Sequence, residues 1–121
     1  MKITLIQSDI VWADPRANGE KLRKTIATDP GADLYVLPEM FSTGFNSIAE
    51  ENGFTLGLMR ELAALGNCAI AGSVAVREGE SVYNRFYFVK PDGSEEHYDK
   101  RHLFANGGED KFCVPGCSRK V

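Results

Sequence analysis

The chain has 121 residues, of which 43% are hydrophobic, so it can form one domain with a substantial buried core. Its 14 basic and 17 acidic residues give a formal net charge of -3, and no basic face is clustered along the sequence. Binding to nucleic acid or to a membrane surface therefore has no electrostatic basis in this composition. A small molecule is the partner that we expect.

The first residues and the cysteines indicate a cytoplasmic location. The N-terminus enters a strand pattern at Ile3, without the long apolar segment and the small-residue cleavage site of a secretory signal. The longest apolar stretch, residues 68–76, is interrupted by Gly72 and Ser73 and is far shorter than a membrane span. Three cysteines leave one unpaired in any disulfide scheme, which agrees with a reducing compartment.

The first third of the chain has the pattern of a βαβ unit. Residues 3–8 begin with apolar side chains and predict a buried strand. Asp14 followed by Pro15 is typical of a helix start, and the helix should run to about Thr28, before a Pro-Gly break. Residues 33–37 then predict a second strand, which is too apolar to have one wet face.

The rest of the chain predicts one helix, three strands and a long loop. Leucines at helical spacing predict an amphipathic helix over residues 54–65, and residues 68–76 predict a third strand. Residues 82–90 and 95–98 flank a Pro-Asp-Gly-Ser sequence suited to a tight turn, so they predict a hairpin. The last twenty residues show no sustained period and predict a long loop, which in compact domains is usually functional.

Two charged side chains follow predicted strands. Glu39 lies in residues 38–45, directly after the second strand, and Lys100 lies in residues 98–104, at the end of the hairpin. Because open α/β sheets bind their ligands at strand ends, Glu39 and Lys100 could meet at one edge of the sheet. Taken alone, each could also be a solvated surface charge.

Six short motifs occur in an order that resembles the carbon-nitrogen hydrolase (nitrilase) superfamily. They extend over nearly the whole chain and are Leu5-Ile6-Gln7, Leu37-Pro38-Glu39-Met40-Phe41, Ala71-Gly72-Ser73, Tyr83-Asn84-Arg85, Pro91-Asp92-Gly93 and Tyr98-Asp99-Lys100-Arg101-His102-Leu103-Phe104. Within the superfamily, residues 39–45 and 107–111 are most similar to the omega-amidase branch, whose members hydrolyse the terminal amide of 2-oxo acid amides.

The resemblance implies an α/β fold of the nitrilase type, an α-β-β-α sandwich of which residues 1–121 would form the N-terminal half. It also implies a Glu-Lys-Cys site that acts on an amide substrate without a cofactor. In this site Glu39 matches the general base and Lys100 the catalytic lysine. Glu109 is the candidate for a second, supporting glutamate, with a surface charge as the alternative. The family's tendency to pair subunits predicts a homo-oligomer.

Two further sets of residues are candidates for contacts with ligands. Phe41 and Phe45 could shape a substrate pocket beside Glu39, although aromatic residues beside a strand end are more often part of the core. Cys113, Cys117 and His102 could be considered as metal ligands, but this set lacks a fourth donor and the paired short spacings of zinc sites. We therefore expect no metal site.

The nucleophilic cysteine of the family has no match in this sequence. In the family it follows a further strand beyond the lysine loop, whereas Cys68 begins a core strand and Cys113 and Cys117 lie where the family has a turn. The chain is therefore expected to end before the catalytic cysteine and to be inactive by itself. Two alternatives stay open: a non-catalytic binding or assembly module, and recruitment of Cys113 or Cys117 as the nucleophile. Half of a sandwich would also leave sheet faces partly uncovered, which predicts a poorly soluble or oligomeric chain.

Overall fold

The computed structural model describes residues 1–45 and 48–120, and within these residues it contains one five-stranded sheet and two α-helices. The strands lie side by side in chain order. The elements are β1 (Ile3–Leu5), α1 (Pro15–Thr28), β2 (Leu34–Val36), α2 (Phe54–Gly66), β3 (Ala69–Glu78), β4 (Ser81–Val89) and β5 (Glu95–Asp99). β1, β2 and β3 are parallel, whereas β4 and β5 pair antiparallel with their neighbours. The predicted α/β class is confirmed.

Both helices pack on one face of the sheet. The Asp14 side chain accepts a hydrogen bond from the N–H of Ala17 at 3.0 Å, so α1 begins where the sequence predicts. Gly19 allows α1 to approach α2, because a Cβ at this position would lie 2.7 Å from Cδ2 of Leu58. The core between helices and sheet contains Leu22, Ile26, Tyr35, Leu58, Met59, Leu62, Ile70, Val74, Tyr87 and Val89.

The predicted elements form, but the first strand is shorter than expected, and the prediction that it is buried is wrong, because it is an edge strand whose outer face is uncovered. β1 ends at Leu5 instead of residue 8, although the N–H of Ile6 still donates to the Val36 carbonyl at 2.9 Å. In the segment that follows, the side-chain amide of Asn18 on α1 accepts a hydrogen bond from the N–H of Val11 and donates one to its carbonyl, both at 2.8 Å. These bonds connect the segment after β1 to α1 at Val11.

The hairpin of β4 and β5 closes through the predicted turn. The N–H of Lys90 donates to the Ser94 carbonyl at 2.9 Å, and the N–H of Gly93 donates to the Lys90 carbonyl at 3.0 Å. Gly93 has a φ of +83°, a left-handed conformation that glycine adopts without steric cost. The turn sets the register in which Arg85 on β4 pairs with Asp99 on β5.

The opposite face of the sheet is covered only in part. The loops after β2 and β5 pack onto it through Met40 and Cys113, which form a second small core with Ala75 and Val82. On the same face, by register, Ile3, Leu5 and Phe86 are 47%, 76% and 40% exposed. The described residues thus form one helix layer and one sheet layer, half of the expected sandwich. Neither of their helices is long and apolar enough to span a membrane.

Candidate active site

The two charged segments leave the same end of the sheet. β2 is parallel to β3, and β5 also has the direction of β3 because two successive antiparallel pairings restore it. Glu39 comes shortly after β2, and Lys100 comes directly after β5. Both residues therefore lie at the carboxyl end of the parallel strands, where open α/β sheets place their ligand sites.

A tight turn after β2 presents Glu39. The N–H of Met40 donates to Oγ of Ser73 at 3.0 Å, and the N–H of Gly44 donates to the Met40 carbonyl at 2.8 Å. Met40 has a φ of +54°, a conformation that costs a residue with a Cβ about 1–2 kcal/mol and persists only where the surroundings hold it. The buried Met40 side chain anchors this turn, while the Glu39 side chain stays 45% exposed.

Lys100 joins the two predicted glutamates. Its Nζ donates to Oε1 of Glu39 at 2.9 Å and to Oε2 of Glu109 at 3.0 Å. The backbone of Lys100 is held on both sides, because its N–H donates to the Asn84 carbonyl at 2.9 Å and its carbonyl accepts the N–H of Gly116 at 3.0 Å. The prediction that Glu39 and Lys100 lie together at one edge of the sheet is therefore confirmed. Their catalytic roles stay predictions.

Glu109 lies beneath Lys100 in a 3-10 turn at Glu109–Lys111. Its side chain is only 5% exposed, and Oε2 also accepts the N–H of Phe104 at 2.7 Å. This burial excludes the alternative, left open by the sequence, that Glu109 is a surface charge. A buried carboxylate with this many donors is suited to hold a cation in place and not to exchange protons with a substrate.

The charges of the site stabilise one another. Burial disfavours the ammonium of Lys100, but the hydrogen bonds to Glu39 and Glu109 and their charges outweigh it and raise the pKa of Lys100. Burial also disfavours the carboxylate of Glu109, yet hydrogen bonds from Asn84, Phe104 and Lys100 hold the pKa of Glu109 below its ordinary value. At neutral pH the site therefore contains a lysine cation above an ionised Glu109.

Asn84 is the site residue to which the sequence assigned no role. It is 2% exposed, and its Nδ2 donates to Oε1 of Glu39 at 2.7 Å and to Oε1 of Glu109 at 2.9 Å. A signal was present, because asparagine is depleted in strands and here interrupts a run of strand-forming residues. That signal does not indicate which groups the amide contacts.

The two candidate phenylalanines lie in different surroundings. Phe41 is 4% exposed and belongs to the core under the helices, where its ring would lie 3.1 Å from a Cβ added at Gly72. Phe45 is 55% exposed and lines an open pocket of about 550 Å³. The structure thus brings Phe45, and not Phe41, to a surface beside Glu109. Contact of either ring with substrate stays a prediction.

Two openings flank the charged residues. We call the first the Glu39 groove; it has a volume of about 350 Å³ and is lined by Leu37, Glu39, Gly72, Ser73, Asn84, Phe86, Tyr98 and Lys100. The second is the open pocket of Phe45, which is also lined by Met40, Phe104, Gly107, Gly108, Glu109 and Phe112. Glu39 and Lys100 face the groove, so a ligand there can reach both.

The cysteines of the chain differ in their accessibility. Cys68 and Cys113 are buried, whereas Cys117 is exposed. Burial, together with the nearby charge of Glu109, raises the pKa of the Cys113 thiol to about 11. Because the thiolate is the nucleophile, this environment argues against recruitment of Cys113. Within residues 1–45 and 48–120, no group of three or more His, Cys, Asp or Glu side chains could hold a metal ion.

The fold and this arrangement of charges are accompanied by a match to a known family. Residues 2–117 match the model of the carbon-nitrogen hydrolase family, and the chain therefore belongs to that family. Over 98% of its length it superposes on the crystal structure of XC1258 from Xanthomonas campestris with a TM-score of 0.92 and 38% identity. That structure is a CN-hydrolase superfamily protein with an arsenic adduct in the active site, and the match covers 47% of it.

Among individual relatives, the chain is similar to omega-amidases. It is 38% identical over 125 residues to the omega-amidase YafV of Yersinia enterocolitica, a match that covers 100% of this chain and 49% of the relative. It is 34% identical over 111 residues to the 2-oxoglutaramate amidase of Bacillus subtilis, covering 84% of this chain and 43% of the relative. The chain thus spans about half the length of the curated relatives it matches.

Proposed function

We propose that this chain supplies the glutamate and lysine groups of an amidase of the omega-amidase type. Such an enzyme hydrolyses the terminal amide of a 2-oxo acid amide to the 2-oxo acid and ammonia. The observation that carries the proposal is Lys100, whose Nζ lies within 3.0 Å of both Glu39 and Glu109 at the edge of the Glu39 groove. The omega-amidase relatives support the choice of substrate.

The proposed reaction uses a cysteine thiol as nucleophile and Glu39 as the base. Glu39 takes the thiol proton, and the thiolate forms a C–S bond with the amide carbonyl. Collapse of this intermediate breaks the C–N bond, and the nitrogen leaves as ammonia with the proton that Glu39 held. Water then attacks the thioester, and Glu39 accepts a proton from it. The C–S bond breaks, and Glu39 returns this proton to the leaving sulfur, which regenerates the thiol and the Glu39 carboxylate.

Lys100 and Glu109 have complementary parts in this proposal. Lys100 remains an ammonium at neutral pH, so it can stabilise the thiolate and the oxyanion of the tetrahedral intermediate. Glu109 is too buried to serve as a second base and holds the ammonium in position. Lys100→Arg should disable the complete enzyme, because a planar guanidinium cannot occupy the position of a compact ammonium between two carboxylates.

The 121-residue chain by itself should not hydrolyse amides. None of its cysteines matches the family's nucleophile motif, and loss of a nucleophile in a comparable hydrolase costs on the order of a millionfold in turnover. One observation favours the rival function, a non-catalytic binding or assembly module. The exposed side chains of Ile3, Leu5 and Phe86 form an apolar sheet face of the kind that pairs with another chain.

The test is to sequence the coding DNA beyond the Val121 codon and to assay the product of the whole reading frame. Ammonia release from a 2-oxo acid amide, abolished by Glu39→Gln and by Lys100→Arg, is the expected result. A whole product that releases no ammonia from any 2-oxo acid amide would contradict the proposal. The 121-residue chain serves as a second sample, in which turnover sensitive to Glu39→Gln would refute the predicted inactivity.

A further inference from the structure

Asn84 contacts all three charged residues of the site. Its Nδ2 donates to Oε1 of Glu39 at 2.7 Å and to Oε1 of Glu109 at 2.9 Å. Its backbone carbonyl accepts the N–H of Lys100 at 2.9 Å. We propose that Asn84 is a positioning residue, which clamps Glu39 and Glu109 with the two N–H bonds of one amide and leaves one oxygen of Glu39 free for proton transfer.

The chemistry of the amide determines its orientation. The NH₂ group of asparagine has two donors, so it can give one N–H to each carboxylate. The reverse orientation would place the amide oxygen against two carboxylate oxygens, neither of which has a proton to donate when ionised. Because Asn84 is 2% exposed, water does not compete for these donors. The bond to Glu109 therefore favours the ionised form of that carboxyl group.

The same bonds make the two oxygens of Glu39 unequal. Oε1 accepts hydrogen bonds from both Nδ2 of Asn84 and Nζ of Lys100. Of the residues that the structure describes, none donates a hydrogen bond to Oε2 of Glu39. Oε2 is therefore the oxygen that can exchange a proton at the Glu39 groove, an assignment that rests on the proposed function.

The position of Asn84 on β4 explains why one residue can make these contacts. Asn84 pairs with Ala75 of β3 and lies on the sheet face opposite to the helices. The turn after β2 brings Glu39 over this face, and the loop after β5 brings Glu109 over it from the other side. Asn84 is thus a fixed point on the rigid sheet between two glutamates that come from loops.

The experiment is an NMR titration of the 121-residue chain, which needs no turnover. In the unmodified chain, the chemical shifts of both side-chain N–H protons of Asn84 should change with pH. One of them should change with the same midpoint as the chemical shift of the Glu109 carboxyl carbon. In Asn84→Ala, the pKa of Glu109 should rise by about one pH unit, because a donor to the ionised form is lost. A failure of the proposed amidase activity would leave these readouts unaffected.

The matched control is Asn18→Ala. Asn18 is also a buried asparagine, and it makes three hydrogen bonds to backbone groups but none to Glu39 or Glu109. Its removal should lower the melting temperature and leave the pKa of Glu109 unchanged. The proposal is overturned if Asn84→Ala also leaves that pKa unchanged, because Asn84 would then be only a structural core residue.

The unmodified chain keeps the test decisive if Asn84→Ala does not fold. Side-chain N–H resonances of Asn84 that do not respond to pH would overturn the proposal without any variant. Asn84→Asp, which keeps the shape but replaces the donors with a third carboxylate, should raise the pKa of Glu109 further than Asn84→Ala does. A pKa of Glu109 that stays at its original value in Asn84→Asp would equally contradict the clamp.

Discussion

Replacing Arg85 with methionine should destabilise the fold strongly, because two carboxylates would lose the cation that they share. Arg85 is 8% exposed and lies on the helix side of β4. Its Nε and Nη2 donate to the two oxygens of Asp99 at 2.6 and 2.9 Å, and its Nη1 donates to Glu78 at 2.5 Å. The bonds to Asp99 are the main reason why the pKa of Arg85 lies above its usual range.

The size of the effect follows from the burial of each partner. Removing one partner of a buried ion pair costs about 3–5 kcal/mol, because the other charge stays buried and unpaired. The Asp99 side chain is 19% exposed, so the loss of stability from leaving Asp99 unpaired should lie near the lower end of that range. Glu78 is 56% exposed and adds at most about 1 kcal/mol. We expect Arg85→Met to lower the free energy of unfolding by about 3 kcal/mol.

Urea unfolding of variants in the same oligomeric state measures this loss. Arg23→Met is the control, because Arg23 makes a comparable two-atom contact with Glu61 at 2.9 and 3.3 Å on the exposed surface, and its loss should change stability little. Adding Asp99→Asn to Arg85→Met should recover part of the loss, since the unpaired charge is removed. Equal losses for Arg85→Met and Arg23→Met would refute the reasoning from burial.

Three further predictions concern the supporting carboxylate, the thiols and the apolar face. The folded-state pKa of Glu109 lies below its unfolded value of about 4.5, so its ionisation stabilises the fold above that pH, and the stabilisation is lost as the pH falls through the lower folded value. Glu109→Gln should thus cost most stability at neutral pH in urea unfolding, and a loss equal at all pH values would contradict this linkage. With a pKa of about 11 against an ordinary 9.0, Cys113 has roughly 100-fold less thiolate at neutral pH, so Cys117→Ser should remove the fast phase of iodoacetamide labelling. Fast labelling that persists in this variant would show that one of the two buried thiols, Cys68 or Cys113, is accessible. Leu5→Lys should shift the chain to smaller assemblies in gel filtration, whereas Leu65→Lys at the end of α2 should not; the same profile for both would exclude self-association through β1.

The sequence by itself was sufficient wherever a local pattern determines the structure. Asp14 and Pro15 predict the start of α1 because a capping side chain and a preset dihedral act within one helical turn. The Pro-Asp-Gly-Ser turn predicts the hairpin because its glycine accepts a positive φ. Glu39 and Lys100 could be predicted as neighbours, since each follows a strand and such strand ends gather at one edge of an α/β sheet.

Only the tertiary structure decided which side chains meet across the sheet and which are buried. The clamp of Asn84 on two glutamates depends on the register of β4 and on loops that come from both sides, and no local pattern encodes this combination. The burial of Phe41 and the exposure of Phe45 depend likewise on how one turn packs against β3. The contact of the segment after β1 with α1 depends on Asn18, a residue on a different element. The physical reason is that local patterns act through a few neighbouring dihedral angles, whereas these contacts need the whole sheet to be assembled first.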